Sequence, residues 1–446
     1  MNRTFRLTKP VGGGEFPCPL IAMGKANRKP WLSRVAVIAF LLAGSLALQG
    51  CDNNLVNGPP DIPGAPDVPG APDTPGDQTP PQLPPQPPEG GWTSPPVPGP
   101  LPQNLIGTSP DTAVARFQHY LSQDAFEYLF PRRMGTPYWA NATGRTGEDY
   151  FSYQNLLDAI RFMSNLVIVT HTRQHAEGYF FWNARQSLLR KDTGQLTTIS
   201  YGTNWDEPWH GDYSETARLD FGEFINSPNA NDRRRELAAF LANVTQETAR
   251  GLGVSRSYGG LFYNEEVDFA GQTGRYYWAY AYGQPDGTPH PLGPAQPGRS
   301  YHGRGPMQLS WNYNYGQASA VIFGDMMVLL LDPNRILRDG VLGWKTAIWF
   351  WMTPQAPRPS CHEVMTGRWT GNWSPTSTDA AQGQTRVGFG HTIMVINGGY
   401  EGDRNEYDGR ILGRTSSYRR FARVLGADIT GEKVDTLGML GNTWFQ

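Results

Sequence analysis

Cysteine is scarce in this chain: three in 446 residues, Cys18, Cys51 and Cys361. So few cannot form the dense cross-linking on which small disulfide scaffolds depend, and stability has to come from an apolar core, which a chain of this length can bury. Charge is sparse as well. Charged residues make up 17% and the net charge is -2. No basic run lies outside the N-terminal region, which disfavours nucleic acid as a partner. His290, His302, His362 and His391 are scattered without metal-ligand spacing, which argues against a metal site. Gly303-Arg-Gly-Pro306 lacks the Lys-Ser/Thr continuation and the preceding strand of a phosphate loop, so it reads as a bend in the backbone. Nothing in the sequence calls for a cofactor. The longest apolar run, Val35–Leu48, is short for a membrane span.

What is abundant is proline, glycine and aromatic side chains: 38 Pro, 52 Gly and 14 Trp, with aromatics at 12%. The aromatics suit either a large core or a carbohydrate-binding surface. Lys25, Arg28, Lys29 and Arg34 precede the Val35–Leu48 run, the pattern of a signal peptide over residues 1–50. The region before Arg28 is long for one, which makes Met23 a second candidate start. Leu48-Gln-Gly-Cys51 resembles a bacterial lipobox. That resemblance implies a lipidated Cys51 and a protein anchored in the cell envelope, periplasmic or surface-facing, with plain secretion as the alternative. Asp52 adds the option of retention in the inner membrane. Cys18 would then be removed and Cys361 left alone, in a structural role. Residues 51–110 read as a tether, with Pro63-Gly-Ala-Pro-Asp67 recurring as Pro69-Gly-Ala-Pro-Asp73. In polyproline form it reaches on the order of 100 Å.

Chemistry concentrates between Asn231 and Glu266. Leu237, Phe240, Leu241 and Val244 follow helical spacing, and Glu247 continues their face three residues later. Asn231 or Asp232 can cap the start of this helix, and Gly251 and Gly253 mark its end. Partial burial and the negative end of the helix dipole both favour a carboxyl that keeps its proton, as a general acid must. The ordinary alternative is a Glu that merely pairs with an Arg at a helix end. A second pair of carboxylates, Glu265 and Glu266, follows Gly259-Gly260-Leu261. Two carboxylates on separate elements are what hydrolysis of a glycosidic bond needs.

The flanking residues sharpen this. Phe240-Leu-Ala-Asn-Val-Thr-Gln-Glu-Thr248 resembles the first catalytic motif of family 19 glycoside hydrolases, chitinases with a lysozyme-like fold. Tyr301-His-Gly-Arg-Gly-Pro-Met-Gln-Leu-Ser-Trp-Asn-Tyr-Asn-Tyr-Gly316 is similar to the most distinctive signature of that family. Trp344–Pro354, Pro359–Val364 with Thr366–Trp369, and Ile396–Gly399 follow in the family's order. Ser122–Pro131 and Phe151–Asn155 resemble its first helices. The resemblance spans roughly Leu121 to Gly426.

Carried across position by position, the resemblance implies Glu247 as general acid and Glu266 as general base. The neighbouring Glu265 leaves a register slip of one open. Gln308, Ser310, Tyr313 and Asn314 correspond to cleft-lining residues, with Ser310 helping to hold the attacking water. Asn397 corresponds to a contact for the sugar acetamido group. Lys345 and Arg410 match cleft charges more loosely. The implied reaction is single-displacement hydrolysis with inversion. Chitin is the leading substrate, peptidoglycan the second, and a non-catalytic glycan-binding lipoprotein the third reading. Three departures stand out. Gln246 replaces the usual His, Ala249–Tyr258 is inserted, and a segment near 165–230 exceeds the compact core. That segment carries Trp182, Trp205 and Trp209 and could extend the cleft or cover it. The ring-rich Tyr276–Tyr282 suits either sugar stacking or packing.

The expected fold for residues 111–446 is mainly helical α+β, lysozyme-like, with two lobes and a central cleft. Helices are predicted at Ala113–Leu129, Tyr153–Met163, Arg233–Ala249, Tyr315–Phe323, Leu342–Met352 and Ser416–Leu425, and an extended piece at Leu196–Tyr201. Trp349, Phe350 and Trp351 read mostly as core.

Overall fold

The computed structural model describes residues 94–137, 139–140, 146–175, 183–201, 210–249, 259–266, 293–355, 358–371 and 373–440. The signal pattern, Cys51, most of the tether, Trp182, Trp205, Trp209, most of the Ala249–Tyr258 insertion and the Tyr276–Tyr282 stretch lie outside the described residues.

Among the described residues the elements run α1 (Pro110–Tyr120), α2 (Gln123–Leu129), α3 (Tyr153–Ser164), β1 (Leu166–His175), β2 (Asn183–Arg190), β3 (Leu196–Tyr201), β4 (His210–Asp220) and α4 (Ala230–Glu247). They continue as α5 (Asn312–Phe323), α6 (Met327–Leu331), α7 (Arg335–Arg338), α8 (Gly340–Met352), α9 (Cys361–Met365), α10 (Ser377–Ala381), α11 (Phe389–Glu401) and α12 (Leu412–Leu425). The fold is mainly helical α+β, as expected. The single predicted helix over 113–129 is two: Leu121 is extended, and Ser122 caps α2 by accepting from Ala125 N. A capping serine competes with helix continuation and restarts the chain at a new angle.

Helix α4 is the axis of the molecule. It is capped by Asn229, which accepts from Asn231 N at 2.8 Å, rather than by Asn231 or Asp232. It also lacks the one-sided burial that Leu237, Phe240, Leu241 and Val244 suggest, because every residue from Arg235 to Thr245 is buried. The polar ones among them are paired. Glu236 accepts from Trp351 Nε1, from Ile225 N and pairs with His362 Nδ1. Arg235 Nε reaches Glu432 at 2.7 Å. Buried charges are tolerated only when partnered in this way. α12, α9 and α11 pack around α4, while α3 packs on α8 and α1. Trp344, Trp349 and Trp351 of α8 are fully buried and Phe350 is partly so. Cys361 is buried in the same core as a free thiol, and burial pushes its titration up, out of the range of a nucleophile.

The segment near 165–230 forms a four-stranded antiparallel sheet in the order β3-β2-β1-β4. Ile168 stands opposite Leu188 and Leu219. Leu166, Ile168 and Leu188 turn into the main core, so this face is continuous with the helices. Lys191 Nζ fastens the sheet by bonding Thr108 O, Ser164 O and Asp220 Oδ1 at 2.6–2.8 Å. The last part of the expected tether is not free either. Leu101 is buried, His119 Nε2 lies 3.1 Å from Gly99 O, and Arg116 bonds Leu105 O and Gly107 O. Residues from about 97 to 109 thus belong to the folded unit.

Candidate active site

Glu247 is the last residue of α4, and its side chain is 16% exposed. Its carboxylate accepts from Arg414 Nη2, on α12. The same guanidinium bonds both carboxylate oxygens of Glu401 through Nε, at 3.1 and 3.0 Å, and reaches Asn243 Oδ1 at 3.1 Å. Arg414 is therefore a single buried cation between two carboxyl groups. Burial pushes Glu401 up to about 7; Arg414 opposes that shift and the negative Glu247 adds to it. Asn397 also opposes the shift. It stands exposed at a kink in α11, with non-helical angles of φ -145° and ψ 37°. From the kink onward, Asn397, Gly399 and Tyr400 face solvent, while Glu401, four residues after Asn397, stays inside.

The chain that follows α4 is stitched back onto its end. Gly259 and Gly260 have φ of +85° and +77°, and a side chain at Gly260 would meet Thr245 O at 2.6 Å. Only glycine allows that approach. Thr248 then gathers three donors: Leu261 N to its hydroxyl at 2.8 Å, and Phe262 N and Tyr263 N to its carbonyl at 3.2 and 3.1 Å. Three residues later the backbone pairs with the 303–305 segment. Glu266 N bonds Gly303 O at 2.9 Å and Gly305 N bonds Asn264 O at 2.7 Å. Thus the elements bearing Glu247 and Glu266 are tied together within a few residues of each carboxylate. Glu266 Oε2 accepts from Gly303 N at 2.9 Å, whereas Glu265 Oε1 pairs with His302 Nε2 at 3.0 Å.

The loop into α5 completes this side. Gln308 and Trp311 take positive φ, +45° and +74°. That costs energy for any non-glycine residue and marks a conformation imposed by its surroundings. The Gln308 side chain lies against Gly303, as does the Glu266 carboxylate. Ser310 Oγ donates to Gln308 O at 2.9 Å and Asn314 Nδ2 to Ser310 O at 2.9 Å. Asn314 Oδ1 is buried and accepts no hydrogen bond among the described residues. Tyr313 stacks on Trp311, with ring centroids 6.2 Å apart.

Lys345 and Arg410 each have contacts of their own. Lys345 Nζ sits 3.7 Å above the Phe162 ring, where α3 meets α8; burial lowers its titration, and its nearest charges are Asp339 and Asp158. Arg410 pairs with Asp408 at 2.9 Å and lies over the Tyr400 ring. The cation on Glu247 is Arg414. Arg414 and Glu401 escape the sequence reading. Their one signal is the spacing Asn397-x-x-x-Glu401, which places an exposed amide and a buried carboxyl on one helix. Gln246, beside the acid candidate, is half-buried with Oε1 accepting no hydrogen bond among the described residues.

The sequence model of the family described as "Chitinase class I" matches residues 212–436. Endochitinase 2 of Gossypium hirsutum is 38% identical over 247 residues, covering 54% of this chain and 72% of the relative. The endochitinase of Carica papaya is 37% identical over 225 residues, covering 49% and 82%. Among solved structures, chitinase C from Streptomyces griseus HUT6037 is 24% identical with a TM-score of 0.40, covering 71% of this chain and 80% of that one. A bacterial family 19 chitinase is 25% identical with a TM-score of 0.40, covering 71% and 99%.

Proposed function

The chain belongs to the class I chitinase family, glycoside hydrolase family 19, and from that membership we propose how its residues divide the work of cutting chitin. It is a glycoside hydrolase acting within chains of β-1,4-linked N-acetylglucosamine. One observation supports the pairing of the two carboxylates: the chain leaving Glu247 folds back onto Thr248 and carries Glu266 to the 303–305 segment, so the two stand on separate elements that are tied together.

In this reading Glu247 protonates the leaving glycosidic oxygen. Glu266, with Ser310, orients and deprotonates a water on the opposite face of the sugar, so the anomeric centre inverts. Inverting sites keep their carboxyl groups roughly 6.5–9.5 Å apart to admit that water. Arg414 and Glu401 hold Glu247 in place, and the partly protonated Glu401 near neutral pH limits the charge the cluster must carry. Asn397 meets the acetamido group, while Gln308, Tyr313 and Asn314 line the path of the glycan. Oδ1 of Asn314, buried without a donor among the described residues, suits a sugar hydroxyl or amide.

The test uses the full chain and its Glu247→Gln variant, incubated with chitin oligomers and with purified peptidoglycan. Mass spectrometry of the products should show cleavage of the oligomers by the parent and a loss of about 10²–10⁴-fold in the variant. Proton NMR should find the α-anomer released first. Initial β-anomer would sink the inverting mechanism, and cleavage of peptidoglycan alone would reassign the substrate.

We also propose that Cys51 carries a lipid anchor that keeps the enzyme at a bacterial cell envelope. Leu48-Gln-Gly-Cys51 at the end of the apolar run supports this. Cys51→Ser should abolish incorporation of a labelled fatty acid in a bacterial host, and persistent labelling would remove the claim.

A further inference from the structure

Behind Glu266 lies a chain of hydrogen bonds that the acid/base scheme does not use. Ser300 Oγ and His302 Nδ1 are 2.9 Å apart, and His302 Nε2 lies 3.0 Å from Glu265 Oε1. The imidazole is 1% exposed and Ser300 is buried. The order serine, histidine, carboxylate imitates a hydrolase triad. A serine sealed inside the protein has no route to a substrate, however, so the chain holds groups in position rather than attacking one.

What it positions follows from the backbone. Residues 264–266 and 303–305 pair as two short antiparallel segments, with Glu265 opposite Arg304. Neighbouring residues of an extended segment project to opposite faces. His302 takes one of the two adjacent carboxylates, Glu265. The very next peptide N–H, that of Gly303, takes the other, Glu266. A side chain at 303 would stand 3.3 Å from Glu266 Oε2 and 2.8 Å from Gln308 Oε1, so it would displace one or both of these groups. Residue 302 is itself fixed: both ring nitrogens are bonded, and its carbonyl accepts from Tyr315 Oη at 2.7 Å and Arg304 Nη1 at 3.2 Å.

We infer that His302 is a positioning residue that selects Glu266 over Glu265 as the base. It draws the Glu265 carboxylate back into the protein and fixes the Gly303 N–H that aims Glu266. This inference rests on the assignment of Glu266 as base. Among the described residues, ionisable groups bonded to the ring of His302 or to the backbone of 302 and 303 include Glu265 and Glu266 on the paired segment, Arg304 on its own segment and Tyr315 on α5. With His302 absent, an unpaired negative Glu265 stands beside Glu266 and makes its ionisation harder. With Glu265 neutralised, that influence disappears.

The experiment measures pH profiles of kcat/KM on a soluble chitin oligomer for the full-length parent, His302→Ala, His302→Gln, Glu265→Gln and Glu266→Gln. His302→Ala should lose about 10-fold or more in kcat with KM within about twofold. Its acid limb should move to higher pH, and that of Glu265→Gln to lower pH. His302→Gln, which restores a donor of similar reach, should recover most of kcat. Acid limbs that stay in place, or move together, in His302→Ala and Glu265→Gln would overturn the inference while leaving the base assignment intact. Glu265→Gln inactive with Glu266→Gln active would instead overturn the base assignment itself.

Discussion

Glu247 ends a helix whose central run, Arg235 to Thr245, is buried, and it is met by a side-chain cation, Arg414, which a second carboxyl, Glu401, shares. Glu266 lies on a short extended segment and is met by the uncharged peptide of Gly303. The first arrangement is a buried ion cluster, in which removing the one cation leaves two carboxyl groups without a partner in low dielectric. The second is a backbone clamp, in which a peptide dipole sets direction at little electrostatic cost. An acid must take up and release a proton, and a cluster with one cation for two carboxyls can exchange protons without leaving the core unbalanced. A base has to stay aimed, and backbone geometry is the stiffer guide.

The contrast can be tested most strongly at its cation. Arg414→Ala should cost about 3–5 kcal/mol of stability, because two carboxyl groups would then face each other without a partner. Chemical denaturation should show this as a lowered midpoint, and an unchanged midpoint would mean that the cluster contributes little to the fold.

Glu401 sharpens the comparison through pH. Its folded titration, about 7, lies above the ordinary 4.5. The stabilising contribution of such a group is complete below 4.5 and is lost as pH rises through 7, an effect on the order of 3 kcal/mol. Glu401→Gln should therefore flatten the fall in melting temperature between pH 4.5 and 7 relative to the parent. An unaltered slope would assign that fall to other groups.

The smallest expected effect is at the exposed end of the cluster. Asn397→Ala should raise KM for N-acetylated oligomers about 5- to 30-fold, the value of one or two hydrogen bonds to substrate. Partly deacetylated oligomers should show a smaller change. Equal losses on both substrates would place Asn397 in support of Glu401 rather than in contact with the acetamido group.

The sheet and the helices show how unevenly the fold could be read. The extended piece Leu196–Tyr201 coincides with β3 because Thr and Ile there are bounded by turn residues. β1 was hidden: its continuous run Leu166–Thr170 is buried, and burial on both faces erases alternation. In α4 burial also obscures the one-sided pattern, because Arg233, Arg235 and Glu236 are buried alongside its apolar residues. Helices α6, α7, α9 and α10 are five residues or shorter, too brief for a periodic signal.

Sequence alone determined that the chain has a large core without disulfide support, that α4 delivers a carboxyl at its end, and that the order of motifs is that of the chitinase family. Such properties reside in local spacing and in ordered strings of residues. Tertiary structure decided which charges meet. Arg414 reaches Glu247, Glu401 shares that cation, and His302 takes Glu265 while Gly303 takes Glu266. Arg414 and Glu247 are 167 residues apart in the chain. No local pattern encodes such a pairing, because its energy exists only after packing has removed the water between the two groups.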